Sequence, residues 1–151
     1  MSVEALFTRE RSVAEAIEGL IGSVKTSFDA ALYRFNGRRI ARALEEASQR
    51  GVQIRLVIDQ GKYEESQSTQ DLLEKGKFAF RLSRGRGDPD SKMHHKFALL
   101  DDSLVLTGSY NWTRESEEEN YDNLVVLGEP EVAKVYRQEF ELLWNDAKQI
   151  V

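Results

Sequence analysis

The chain has 151 residues, 40% of them hydrophobic and 31% charged, the proportions of one soluble globular domain able to bury a core without a staple. It has 0 Cys, which excludes a disulfide scaffold, thiol catalysis and cysteine-based zinc or iron–sulfur sites, and its 2 His confine any imidazole chemistry to one place. The net charge of -5 argues against a surface that coats polyanions everywhere, but leaves a local basic patch open. The N-terminal MSVEALFTRERSV lacks an apolar targeting core, and no apolar run approaches the ~20 residues of a membrane span. The expectation is a cytoplasmic protein without stable membrane insertion. No internal repeat or composition shift divides the chain, so residues 1–151 are read as one domain.

Residues Ala5 to Thr8 read as a short strand, and Ser12 with Glu15 as a capping box opening a helix. In that helix Val13, Ile17, Leu20, Ile21 and Val24 form one apolar stripe, with Glu15, Glu18 and Lys25 off it. Phe28 to Phe35 is a buried strand ending at the Asn36-Gly37 turn or cap. A second helix turns Ile40, Ala43, Leu44 and Ala47 inward and stops at Gly51, and Val52 to Asp59 resumes a strand. Gln60 to Lys77 is polar, then weakly helical around Leu72 and Leu73; Phe78 to Leu82 is another strand, and Ser83 to Asp90 a loop rich in turn formers. Three strands follow at His94 to Leu100, Leu104 to Thr107 and Asn123 to Leu127, the first two joined at Asp101-Asp102-Ser103 as a hairpin. Glu115 to Glu119 reads as a solvated acidic loop. Pro130 opens a last helix with Val132, Val135, Tyr136, Phe140, Leu143 and Trp144 on one face. Alternating strands and helices predict an α/β fold whose mixed, largely parallel sheet carries helices on both faces.

Covalent or acid–base chemistry has few candidates. His94 and His95 are adjacent on a predicted strand, where consecutive side chains point to opposite faces, so they do not share a site. For the same reason a metal held by His94, His95, Asp88 and Asp90 is disfavoured, and neither a metal nor another cofactor is expected. His94 and Lys96 share a face, ~7 Å apart along the strand. Gly108-Ser109-Tyr110-Asn111 ends the neighbouring strand, with a hydroxyl and an amide again on one face. A lone strand histidine is usually packed or solvated, and Ser109 and Asn111 alone read as a turn. An ammonium is costly to bury without an anionic partner, however, so Lys96 beside His94, Ser109 and Asn111 points to a cradle for a phosphate-sized oxyanion.

The stretch His94-His95-Lys96-Phe97-Ala98-Leu99-Leu100-Asp101 matches the HxKxxxxD motif of the phospholipase D superfamily, and Gly108-Ser109-Tyr110-Asn111 matches its GSxN element in order and spacing. The chain resembles the small, single-motif branch, which includes bacterial endonucleases and the mitochondrial cardiolipin hydrolase/piRNA-nuclease group. The resemblance implies a homodimer with two motifs facing across a two-fold axis, His94 of one chain forming a phosphohistidine and His94 of the other serving as acid and then base. It implies that Lys96, Ser109 and Asn111 hold the phosphate oxygens, that Asp101 and Gly108 are structural, and that an acidic residue after GSxN orients the imidazole. Asp122 stands there, where related nucleases usually carry Glu; Glu118 or Glu119 takes the role if the register differs.

Arg81, Arg84, Arg86, Lys92 and Lys96 gather just before and within the motif, a basic loop suited to a nucleic-acid backbone unless it merely solubilises. Without an amphipathic surface helix or anchor, DNA or RNA is favoured over phospholipid as substrate, although an arginine loop also binds lipid headgroups. A nucleic-acid-binding module with little turnover is the third reading. The sequon Asn111-Trp112-Thr113 and the tripeptide Arg86-Gly87-Asp88 are treated as coincidences.

Overall fold

The structure, a computed structural model, describes residues 2–149; Met1, Ile150 and Val151 lie outside the described residues. One eight-stranded sheet organises the chain, in the order β1-β7-β6-β5-β2-β3-β4-β8. Its strands are β1 (Ser2–Phe7), β2 (Ser27–Leu32), β3 (Gln53–Asp59), β4 (Ala79–Ser83), β5 (Lys96–Leu100), β6 (Leu104–Gly108), β7 (Asn123–Gly128) and β8 (Lys148–Gln149). The helices are α1 (Val13–Gly22), α2 (Arg38–Gln49), α3 (Gln60–Glu65), α4 (Gln67–Gly76), α5 (Arg114–Glu118) and α6 (Pro130–Asp146).

The mixed α/β sheet is as the sequence predicts, but parallel pairing is confined to β2·β3 and β3·β4. The other five pairings are antiparallel. The crossover helices α2 and α3–α4 produce the parallel part, whereas the C-terminal strands return antiparallel, β5 to β6 through a tight turn and β6 to β7 through the segment that carries α5. At the β5–β6 hairpin Asp101 and Asp102 both take positive φ (55° and 59°), the left-handed pair whose twist suits a two-strand turn.

Strand alternation builds two cores. Phe28, Ala30 and Leu32 of β2, Ile54, Leu56 and Ile58 of β3, and Ala98 and Leu100 of β5 face the side covered by α1, α2 and α4. Ala31, Val57, Phe97 and Leu99 face the opposite side, where Ala133 and Phe140 of α6 are buried. On that second face Asp29, 3% exposed, pairs with Arg55 (2.8 Å) and Arg137 (2.7 Å), and both guanidiniums also reach Glu141. Arg55 lies over the Phe140 ring at 5.0 Å, so the ion network and the apolar packing of α6 are one structure.

Several local expectations are corrected. Ser12 does cap α1 by accepting from the Glu15 amide, but the reciprocal carboxylate is Glu117, which accepts from Ser12 Oγ at 2.6 Å and from the Ala14 amide at 2.9 Å. Glu117 also accepts from Tyr110 Oη at 3.1 Å, so the acidic stretch is no mere solvated loop: residues Arg114–Glu118 form α5, capped by Thr113. The expected strand from His94 begins at Lys96, and past it only the Tyr33 amide, donating to the His95 carbonyl, continues the pairing. Val135 is 62% exposed rather than on the buried face of α6, where Ala133 takes the inward position.

Candidate active site

The motif strand β5 runs between β2 and β6, and the segment entering it is pinned from two sides. Tyr33, just past the end of β2, donates its amide to the His95 carbonyl at 2.9 Å, and Asp59 at the end of β3 accepts from the Met93 amide at 2.9 Å. The second Asp59 oxygen caps α3 by accepting from the Lys62 amide at 3.0 Å. With the backbone fixed, the two imidazoles diverge as strand geometry predicts. His95 Nε2 lies 3.1 Å from Glu139 of α6, while His94 packs on the Tyr33 ring with centroids 4.5 Å apart. Among the described residues no three His, Asp or Glu side chains converge as a metal site.

Lys96 Nζ donates to the His94 carbonyl at 3.0 Å and lies 3.5 Å from His94 Nδ1. Burial, and then the positive charges of Lys96 and Lys92, lower the His94 pKa below its ordinary 6.5, against a pull upward from Asp59. The ring is therefore largely neutral near pH 7, the form that can act as a nucleophile. Burial likewise lowers the Lys96 pKa, opposed by the Asp122 carboxylate, and Asp122 supplies the anion that makes a half-buried ammonium tolerable.

The GSxN element sits at the end of β6. A side chain at Gly108 would collide with the Asn123 carbonyl, so the close approach of β7 requires glycine there. Ser109 is exposed; its hydroxyl donates to Asp122 Oδ1 at 2.8 Å and accepts from the Asn123 amide at 3.1 Å. Within the chain Asp122 therefore engages Ser109, and no hydrogen bond joins it to the His94 of the same chain. Glu118 does not take that place either; it pairs with Arg114 at 3.4 Å, as Glu119 does at 3.3 Å. Asn111 donates its amide to Ser116 Oγ at 3.2 Å, and its side-chain oxygen is buried without a protein partner.

Asp101 closes the motif away from the imidazole. Its carboxylate accepts from the amides of Lys25 (3.0 Å), Thr26 (2.7 Å) and Ser27 (3.1 Å) and from Thr26 Oγ1 (2.8 Å), fixing the entry to β2. Those bonds outweigh burial and hold its pKa at about 2.

The basic loop divides. Arg86 lines two adjoining cavities of about 600 and 560 Å³ that hold His94, His95 and Lys96 between them, and Lys92 lines the first. Arg84 faces Glu64 at 4.0 Å, in a smaller cavity that Lys92 and Tyr33 also line. Arg81 is turned elsewhere: it donates to the Trp144 carbonyl at 2.7 Å and stacks over that indole at 4.2 Å, because its position on β4 faces the end of α6. It is a structural pin and not part of the substrate surface. Sequence reasoning overlooked Tyr33, Asp59 and Glu117. An acidic residue ending an apolar strand, as Asp59 does, is a signal for a helix cap; nothing local marks Tyr33 or Glu117.

Comparison with known proteins agrees with this geometry. Residues 17–144 match the family described as cardiolipin synthase, PLD-like domain. The mitochondrial cardiolipin hydrolase of Homo sapiens is 30% identical over 136 residues, 90% of this chain and 52% of that one. That of Xenopus tropicalis is 33% identical over 127 residues, 84% and 59% respectively. The chain therefore spans between half and three-fifths of the length of these curated relatives. Among solved structures, the phospholipase D family member Nuc from Salmonella typhimurium superposes with a TM-score of 0.89 at 26% identity, covering 99% of this chain and 97% of that one. NucT from Helicobacter pylori shares the fold, with a TM-score of 0.86 at 22% identity over 99% of this chain and all of its own. With its HKD and GSxN elements on adjacent central strands, the chain belongs to the phospholipase D superfamily, in the small branch that carries one motif per chain.

Proposed function

We propose that the chain is a metal-independent phosphodiesterase, an endonuclease of DNA or RNA, working as a homodimer. The observation that carries this reading is a single imidazole, His94, set beside the Lys96 ammonium at 3.5 Å, while the other histidine is turned away to Glu139. Hydrolysis through a covalent intermediate needs two imidazoles, and the chain offers one, so a second copy supplies its mate. A nitrogen of one His94 attacks phosphorus and the bond to the leaving oxygen breaks. That oxygen takes a proton from the protonated His94 of the partner subunit. The partner's ring, now neutral, removes a proton from water; the water oxygen attacks phosphorus, the P–N bond breaks, and the first imidazole is restored neutral.

Lys96, Ser109 and Asn111 supply the positive charge and hydrogen-bond donors for the non-bridging oxygens. Asp122 orients Ser109 and stabilises Lys96. Arg86 and Lys92 line the approach and bind the flanking backbone. The Salmonella neighbour is named Nuc, and its length is almost wholly matched by this chain, which supports the nuclease reading.

A phospholipid substrate is the second reading. The cavity beside His94 is also lined by Leu142 and Leu143, with Leu142 62% exposed, and curated relatives are named cardiolipin hydrolases. The deciding experiment incubates the protein in EDTA with single-stranded DNA, RNA and cardiolipin vesicles. Cleavage of a nucleic acid is expected, falling at least about 1,000-fold in His94→Ala and little in His95→Ala. Equal losses in the two variants, or turnover by a monomer, overturn the mechanism. Turnover of vesicles alone moves the substrate to lipid, and binding without turnover makes the chain a binding module.

A further inference from the structure

Within one chain, no described carboxylate hydrogen-bonds to the His94 imidazole. Asp122 accepts from Ser109, and Glu118 and Glu119 are taken by Arg114. What touches the ring instead is Tyr33, 7% exposed, whose ring meets it edge-on at 63° with centroids 4.5 Å apart. Tyr33 is also the centre of the local charge. Lys96 Nζ is 5.4 Å from its ring centroid, Lys62 Nζ 5.6 Å and the Arg34 guanidinium 5.7 Å, all within the range where an aromatic quadrupole attracts a cation. Its own backbone is fixed, because its amide donates to the carbonyl of His95, the residue next to His94. A rigid aromatic plate therefore lies against the imidazole and beneath the ammonium of Lys96, tied to the same backbone that carries both.

We propose that Tyr33 is a positioning residue for His94 and Lys96, its ring holding both by packing and cation–π attraction. This rests on His94 being the reacting group of the proposed phosphodiesterase. The ring face is what matters; the phenol hydroxyl has no side-chain role in the arrangement. The groups that set the charge around His94 are Lys96, Lys92, Asp59 and His95, with Lys62 and Arg34 across the Tyr33 ring and Asp122 beyond Lys96.

The chain has two histidines, so proton NMR of the full-length protein shows two imidazole Cε1–H signals, assigned by His95→Ala. In the wild type, nuclear Overhauser contacts between His94 and Tyr33 ring protons are expected. Tyr33→Phe keeps the plate and retains kcat within about 3-fold, with the His94 signal titrating as in wild type. Tyr33→Leu removes it: kcat falls by about 10-fold or more while KM changes much less, since substrate binding through other donors survives and geometry does not. Water reaching the imidazole also moves the His94 titration upward, toward its ordinary value, with the His95 signal as a control for the fold.

A Tyr33→Leu variant with wild-type kcat and an unmoved His94 titration overturns the proposal. So does a Tyr33→Phe variant as impaired as Tyr33→Leu. If Tyr33→Leu does not fold, absence of the wild-type ring-to-ring contacts overturns it and their presence together with an active Tyr33→Phe supports it. The NMR readouts stand apart from turnover: a wild type that cleaves no phosphodiester defeats the function, while a His94 ring not packed on Tyr33 defeats the positioning.

Discussion

Asp101→Asn tests whether the last residue of the motif acts through charge on the fold and not on chemistry. Asn has nearly the same shape and tolerates the left-handed φ of 55° at this position, so backbone strain is unchanged. What is lost is a carboxylate accepting from three amides and one hydroxyl, replaced by a carboxamide whose NH₂ must point at donors. The Asp101 pKa stands at about 2 in the folded chain against an ordinary 3.8. A depression of that size is worth about 2 kcal/mol of stability at neutral pH. Because the folded pKa is the lower one, this stabilisation is complete above the unfolded value near pH 4 and disappears as pH falls through the folded one. By linkage about 1 kcal/mol remains at pH 3. Urea unfolding followed by circular dichroism at pH 7 and pH 3 reads both numbers, and at pH 7 a 150-residue chain should lose roughly 4–8 °C in Tm. A difference between wild type and variant that stays constant over this pH range, or falls below about 0.5 kcal/mol at pH 7, refutes the charge-based account.

Two other substitutions separate scaffold from site. Arg81→Ala loses the bond to the Trp144 carbonyl and the stacking on its indole, which costs about 1 kcal/mol and about 3 °C in Tm. Its KM for an oligonucleotide stays at the wild-type value, whereas Arg86→Ala raises it; steady-state kinetics on the two variants decides. Asp29→Ala strips two half-buried guanidiniums of their buried partner and lowers stability by about 3 kcal/mol, moderated because Glu141 remains on both. Denaturant unfolding measures it, and a loss below about 1 kcal/mol means the α6 side of the sheet does not depend on this network.

How much of this was legible depended on the range of the interaction. The helices α1, α2 and α6 and most strands follow from apolar spacing, capping residues and the Asp101-Asp102 turn, all within a few positions of one another. The divergence of His94 from His95 and the shared face of His94 and Lys96 are equally local. The partners of Asp122, Glu117 and Arg81 are not. Asp122 finds Ser109 because β6 and β7 are paired; Glu117 reaches Ser12, 105 positions earlier; Arg81 meets Trp144, 63 positions later. A carboxylate after GSxN was visible, yet which neighbour it serves depends on side-chain length and strand pairing that no spacing rule encodes. The parallel share of the sheet was overestimated for a similar reason: a βαβ opening does not dictate how the strands after it return.

The placement of β5 as the fourth strand of eight has a consequence for how such a chain can diversify. Hydrogen-bonded on both flanks and covered on both faces, the motif strand offers evolution almost no room: an insertion there disturbs two ladders and two cores at once. The stretch from Arg84 to Lys92 carries no strand pairing and lines the same cavity as the imidazole, so it can lengthen or shorten without breaking a ladder, and a change of its charge retunes the approach to His94. Change of clientele among relatives is therefore expected to be written in that loop and along the exposed flank of α6, while the chemistry stays locked in the middle of the sheet.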